Sequence, residues 1–353
     1  MKLLSSATLG SLPLKNSVVM APMTRSRAIG GVANDLMVKY YAQRAGAGLI
    51  VTEGVSPSAN GLGYARIPGL YNEQQMASWR PVTEAVHKAG AKIFIQLMHT
   101  GRVSHPANMP AGTRILAPSA IALSGSMWTD TMGMQPHPKP EEMTRSDIQA
   151  AIAEFVRSAR LAIQAGFDGV ELHGANGYLL EQFLNPNVNK RQDEYGKTAE
   201  GRMRFVLEVA QAVAREIGAD RTGIRVSPYG AFNDTGAFEG VDQFYGALAG
   251  KLSALGLVYI HVVDHSAMGA PAPSPEVRRQ IRQNFKGKTI LSGGYDAARA
   301  ERDLAEGKGD LVAFGRPFIS NPDLVEKLKA GSALKPANPA TFYTPGAEGY
   351  TDY

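Results

Sequence analysis

Eight times along the chain a short β-branched or apolar run is followed by a Gly, Pro or Asn turn and then by an amphipathic segment. The runs are SVVMAP (17–22), GLIVTEG (48–54), KIFIQLMH (92–99), GVELHGA (169–175), TGIRVSP (222–228), LVYIHVVD (257–264), TILSGG (289–294) and LVAFGR (311–316). Strands separated by helices do not pair as hairpins, so they lie parallel, and eight of them close on themselves. The expected fold is α/β, a (β/α)8 TIM barrel. A doubly wound open sheet is the alternative, weakened by the lack of an early glycine-rich dinucleotide fingerprint. A chain of 353 residues is within the range of one barrel with insertions, so 1–353 is expected to form a single domain. Helix signals fill the gaps: Ile148, Ile152, Phe155, Ala159 and Ile163 share one helical face, with Ser146 and Gln149 as a candidate capping box and Gly166 placed to end the helix. Asn321-Pro322-Asp323 reads as another helix start.

One connection is unlike the others. Residues 100–143, after the third strand, are rich in Pro, Gly, Ser and Met and far longer than an ordinary βα loop. Such an insertion emerges at the C-terminal face of a barrel, where active sites are built, and is expected to cap the site.

The chain has no cysteine, which excludes disulfides, thiolate-held iron–sulfur clusters and catalytic thiols, and suits a reducing compartment. The net charge is +5 without a concentrated Lys/Arg run, so no nucleic-acid partner is expected. No apolar run is long enough to span a bilayer, and the N-terminal MKLLSSATLGSL lacks a signal-peptide core, so the expectation is a soluble cytoplasmic protein without membrane contact. His261 and His265 are four apart, but at a strand end this spacing does not aim both at one metal, and no metal site is expected.

The candidate site lies where strands end. Alternation puts Glu171 and His173 on one face of the fourth strand and Leu172 on the other. Gly174 and Gly177 permit a sharp turn that brings Asn176 and Tyr178 toward the same mouth. Paired His and Asn donors hold one carbonyl or nitro oxygen, and a phenol supplies a proton. The alternative is a satisfied core histidine, a turn asparagine and a packing tyrosine. Gln96 ends the third strand with a donor and an acceptor. Arg225 lies within the fifth, either paired with Glu171 or facing a ligand. Gly293-Gly294 after the seventh strand and Gly315-Arg316 after the eighth occupy the position where barrels bind phosphate.

Long stretches resemble the old yellow enzyme family of FMN-dependent ene-reductases, in the branch that holds the pentaerythritol tetranitrate and morphinone reductases. They are APMTRSR (21–27), YYAQRAGAGLIVTEG (40–54), QLMHTGRVSH (96–105), AGFDGVELHGANGYLLEQFL (165–184), NKRQDEYG (189–196), DRTGIRVSP (220–228), VAFGRPFISNPDL (312–324) and AEGYTDY (347–353). The resemblance implies an NADPH or NADH oxidoreductase that reduces the C=C bond of α,β-unsaturated carbonyl or nitro compounds. It implies that Pro22, Met23, Thr24, Gly54, Gln96, Arg225, Gly293, Gly294, Gly315, Arg316 and Tyr343 contact FMN. His173, Asn176, Tyr64 and Met98 then contact substrate, and Tyr178 is the proton donor. Two positions depart from the family pattern: Met98 stands where Trp is usual, which should widen the pocket, and Gly54 where Ala is frequent. The chain is expected to act as a monomer or homodimer. The rival reading is a barrel that holds FMN without turnover.

Overall fold

The computed structural model describes all 353 residues. Eight parallel strands close into one barrel: β1 (Val18–Met20), β2 (Leu49–Val55), β3 (Lys92–Leu97), β4 (Gly169–Gly174), β5 (Thr222–Val226), β6 (Tyr259–Val263), β7 (Lys288–Ser292) and β8 (Leu311–Phe314). Each pairs with its neighbour in sequence, and β8 pairs with β1 through Ala313 opposite Val19. All eight expected runs are strands, but most stop short of their apolar run. The trailing residues, among them Pro22, His99, Gly293, Gly294 and Gly315, leave the ladder to form the rim of the barrel mouth, and Pro22 has no N–H to continue it.

Leu172 packs outward with Val170, Ile224 and Ile260 against the helices, in the main core. The inward set is separate: Val19, Leu49, Val51, Phe94, Tyr259, Ile290, Leu311 and Ala313 fill the lower barrel. Gly169 and Gly223 make room for two of these rings. A Cβ on Gly169 would lie 2.4 Å from Phe94, and one on Gly223 2.3 Å from Tyr259. The bottom is closed by a hairpin the sequence reading missed, Ala7–Leu9 against Leu12–Leu14, which inserts Leu9 and Leu14 under that layer. The small apolar faces of these three-residue strands are too short for periodicity to reveal.

Two helix starts differ from expectation. The helix Arg145–Gln164 is capped by Thr144, whose hydroxyl accepts from the Asp147 N–H while the Asp147 carboxylate accepts from the Thr144 N–H. The box is therefore Thr144 with Asp147, not Ser146 with Gln149, because the helix already begins at Arg145 and Ser146 lies inside its first turn. Asn321 closes the short helix Arg316–Ser320 and bonds Lys335, and the next helix starts only at Leu324 after Asp323. Inside 100–143, a hairpin of Ser126–Thr129 with Gly133–Pro136 leans over the barrel mouth. No helix is long and apolar enough to cross a membrane.

Candidate active site

A cleft of about 1320 Å³ opens at the C-terminal ends of the strands. It is bordered by every residue that the resemblance assigned to cofactor or substrate: Pro22, Met23, Thr24, Gly54, Tyr64, Gln96, Met98, His173, Asn176, Tyr178, Arg225, Gly293, Gly294, Gly315, Arg316 and Tyr343. The insertion adds Met127, Trp128, Asp130, Met134 and His137 on one side, and Phe342–Pro345 of the C-terminal segment close another. Arg66 joins the two. Its guanidinium pairs with Asp130 and donates to the Tyr343 carbonyl (2.8 Å), while Nε reaches the Ser26 carbonyl (3.0 Å).

The floor is polar and organised in two layers. In the lower one Glu171, fully buried, accepts hydrogen bonds from Gln96 Nε2 (2.8 Å) and Tyr259 Oη (3.0 Å) and bonds His261 Nδ1 (2.8 Å). Burial alone would raise its pKa, but His261, Arg225 and Gln96 outweigh that and hold it below the ordinary carboxylate value. Gln96 is thereby pinned through its amide nitrogen, which leaves its carbonyl oxygen without a protein partner. Arg225, one layer up and opposite His173 in register, forms no ion pair with Glu171; its Nε is buried without any partner. The pairing entertained from the sequence is thus taken by Gln96, Tyr259 and His261. A guanidinium only 6% exposed and uncommitted is costly to leave bare, so the structure presents it to whatever fills the cleft.

The upper layer holds His173, Asn176 and Tyr178. His173 is 3% exposed and its ring makes no hydrogen bond within the protein; Nδ1 is buried and unpartnered. Burial, reinforced by Arg225, drives its pKa well below the usual imidazole value, so the ring is neutral. Asn176 takes the left-handed conformation (φ +62°), and its Oδ1 is also buried without a partner. The Tyr178 ring lies 5.0 Å from that of His173 between centroids, and its hydroxyl donates to Tyr64 Oη (3.1 Å). Burial first, and Tyr64 second, raise the Tyr178 phenol well above its ordinary value. The alternative of a satisfied core histidine fails at His173, whose ring is unmet, whereas Asn176 does occupy a turn, with its side-chain oxygen left without a partner.

Thr24 also borders the cleft, and its hydroxyl makes no hydrogen bond within the protein. Gly293 and Gly294 have φ of +120° and +62°, and a Cβ on either would strike the Asp264 carbonyl (2.1 Å) or Ala267 (2.7 Å). Gly315 and Arg316 follow the neighbouring strand β8 and border the same cleft, and exposed Arg316 forms no ion pair. Met98 is buried against Gly54, where an added Cβ would lie 2.5 Å from the Met98 sulfur. It clusters with Leu62 and Ile67 and touches the side of Tyr64 and Tyr178.

Several residues at the site were not anticipated. His265 packs edge-on against Phe232 at the rim, and burial lowers its pKa to about 4. Glu181 and Ser227 lie behind the Asn176 turn. Glu181 carries no advance signal, since an acid in the first turn of a helix ordinarily faces water.

Among proteins of known sequence and structure, a family model described as NADH:flavin oxidoreductase / NADH oxidase family matches residues 2–335. A Leishmania infantum protein named "Probable flavin mononucleotide-dependent alkene reductase" is 39% identical over 99% of this chain and 96% of its own. The structure of an old yellow enzyme homologue from Zymomonas mobilis superposes with a TM-score of 0.96 at 36% identity, covering 100% of this chain and 99% of that one. Morphinone reductase in complex with tetrahydroNAD superposes with a TM-score of 0.94 at 42% identity, covering 99% and 96%. The closed parallel barrel agrees with these matches, and the chain belongs to the NADH:flavin oxidoreductase / NADH oxidase family, the old yellow enzyme family of FMN-dependent oxidoreductases.

Proposed function

We propose that this chain reduces the C=C bond of α,β-unsaturated carbonyl and nitro compounds, with His173 and Asn176 holding the substrate oxygen and Tyr178 delivering the proton. The observation that carries this reading is the buried His173 ring, which has no hydrogen-bond partner in the protein and borders, with Asn176, a cleft roomy enough for a cofactor and a substrate. The chemistry FMN would supply when bound is hydride transfer, with NADPH or NADH as the reductant.

The residues present fit that cofactor. The free carbonyl of Gln96 suits a ring N–H, the Thr24 hydroxyl a ring carbonyl, and unpaired Arg225 the negative charge of a reduced ring system. Gly293, Gly294, Gly315 and Arg316 suit a phosphate, and Pro22, Met23, Gly54 and Tyr343 lie where they would flank the rings. Neutral His173 donates one N–H, and Asn176 donates from its amide, to the same substrate oxygen. Electron density drawn to that oxygen leaves the β-carbon electrophilic. As hydride reaches the β-carbon, the Tyr178 hydroxyl gives its proton to the α-carbon, and Tyr178 recovers a proton from solvent past Tyr64. A phenol whose pKa is raised keeps its proton until it meets a base as strong as an enolate. Enones, maleimides and nitroalkenes are the substrates expected, with the 100–143 segment capping the site.

The test is an absorbance spectrum of the purified protein, then anaerobic NADPH, then 2-cyclohexenone. A yellow protein that bleaches with NADPH and recovers with the enone supports the reading. One that bleaches but recovers only with oxygen, whichever activated alkene is offered, is a flavin-holding barrel without this activity.

A further inference from the structure

Asn176 and Tyr178 reach the cleft only because the chain between β4 and the helix Leu179–Leu184 makes a tight left-handed turn. Three consecutive residues there carry six backbone polar groups, five of them outside any strand or helix ladder, and the structure shows a partner for each. The Asn176 N–H donates to Ser227 Oγ (3.0 Å), and the Asn176 carbonyl accepts from Asn233 Nδ2 (2.7 Å). The Gly177 N–H donates to Glu181 Oε2 (2.6 Å), and the Gly177 carbonyl accepts from Gln182 Nε2 (2.8 Å). Tyr178 closes the turn through Ala175 and Gln182.

Glu181 is the hub. It is 1% exposed and has no cationic partner; every group around it is a neutral donor. Besides Gly177, Ser227 Oγ lies 2.9 Å from both of its oxygens, and Tyr245 Oη donates at 3.4 Å. One carboxylate thus grips the turn directly at Gly177 and indirectly at Asn176 through Ser227. Burial lifts its pKa to about 7, the mark of an acid kept in the interior for its geometry.

We propose that Glu181, acting with Ser227, is a positioning residue for the reaction: it fixes the turn that carries the substrate-holding Asn176 and the proton-donating Tyr178. This rests on the roles proposed above for those two residues. A non-glycine residue at φ +62° is strained and relaxes when its hydrogen bonds are cut. Glu181→Gln leaves one side-chain oxygen where two now serve three donors, the Gly177 N–H and the Ser227 and Tyr245 hydroxyls, and Ser227→Ala removes the link to Asn176 while leaving the Gly177 bond. Neither residue touches the cleft.

Both variants, purified as FMN holoenzymes, are compared with the parent for flavin reduction by NADPH, for reoxidation by 2-cyclohexenone, and for thermal midpoint. Reoxidation is expected to fall roughly 10- to 100-fold, the effect of displacing a reacting group by a fraction of an ångström to an ångström. FMN content should change little, and so should the thermal midpoint when it is read at about pH 5, where the buried Glu181 holds its proton. The decisive readout is a double-mutant cycle with Asn176→Ala. If Glu181 acts through the turn, Glu181→Gln costs much less in that background than alone. Equal costs in both backgrounds, or unchanged reoxidation in the single variants, overturn the proposal. Should Glu181→Gln fail to fold, the same cycle with Ser227→Ala decides. If Asn176→Ala and Tyr178→Phe themselves leave reoxidation intact, the functional reading fails instead.

Discussion

Tyr178 is a weak acid made weaker by its burial and by Tyr64, and the proposed chemistry asks it to give a proton only at the moment negative charge develops beside it. Tyr178→Phe is therefore expected to slow reoxidation by an enone by about 10²- to 10⁴-fold, the usual worth of a positioned general acid, while flavin reduction by NADPH stays within a few-fold. Stopped-flow measurement of the two half-reactions checks this, and an equal fall in both would make Tyr178 a structural residue. Met98 governs the same pocket from the side. Met98→Trp fills space now shared with Gly54 and Tyr64, and should narrow the substrate range toward small enones. An unchanged range in a panel of enones of graded bulk would contradict that. At this scale Gly54, Tyr64, Met98 and Tyr343 were indicated only by the family resemblance, whereas His173, Gln96, Arg225 and the glycines of the strand ends were legible in the sequence because strand alternation and strand ends give their direction. Their supports were not: Glu171 recruits Tyr259 and His261 from β6, and Glu181 recruits Ser227 and Tyr245, across separations that no local pattern encodes.

The C-terminal segment is held to the barrel by three buried arginines. Arg25 donates to the Phe342 and Gly349 carbonyls, Arg27 to those of Thr341, Phe342 and Glu348, and Arg44 to that of Tyr350. The Tyr350 ring stacks on Tyr40 at 4.1 Å, with Arg27 4.8 Å from its centroid. Its hydroxyl, however, is buried with no partner. Tyr350→Ala should therefore cost about 3–5 kcal/mol and loosen the Phe342–Pro345 wall, so that FMN is lost more readily on dilution. Tyr350→Phe should leave both stability and FMN retention nearly unchanged. Thermal melts and flavin release by gel filtration distinguish the two, and a Phe variant as damaged as the Ala variant would mean that the hydroxyl matters. The sequence displayed the elements with strong periods, eight strands and the helices between them. It hid this anchored tail and the N-terminal hairpin, because irregular chain held by side chain to carbonyl bonds has no period to detect.

Whole-molecule stability carries a pH signature from Glu53, buried on β2 and bonded to the Tyr41 hydroxyl (3.2 Å) and the Arg25 N–H. Burial raises it from an ordinary 4.5 to about 7, against the pull of Arg25 and Tyr41. Because the folded-state value is the higher one, its contribution is full below about pH 4.5 and is lost as pH rises through about 7. Glu53→Gln should then melt higher than the parent at pH 8, by an amount on the order of a few kcal/mol, with little gain at pH 5. Parallel curves across that range would assign the pH dependence elsewhere. The barrel, the closed sheet and the placement of the cleft all follow from one repeated pattern, which is why the architecture was readable before any contact was known. The central claim concerns what happens in that cleft, and it is tested most directly by isotope position. A substituted enone is reduced once with NADPH deuterated at its transferable hydrogen and once in D2O, and the products are examined by NMR. The account predicts nicotinamide deuterium on the β-carbon, solvent deuterium on the α-carbon, and the two on opposite faces. Both labels on one face, or nicotinamide deuterium on the α-carbon, would contradict it.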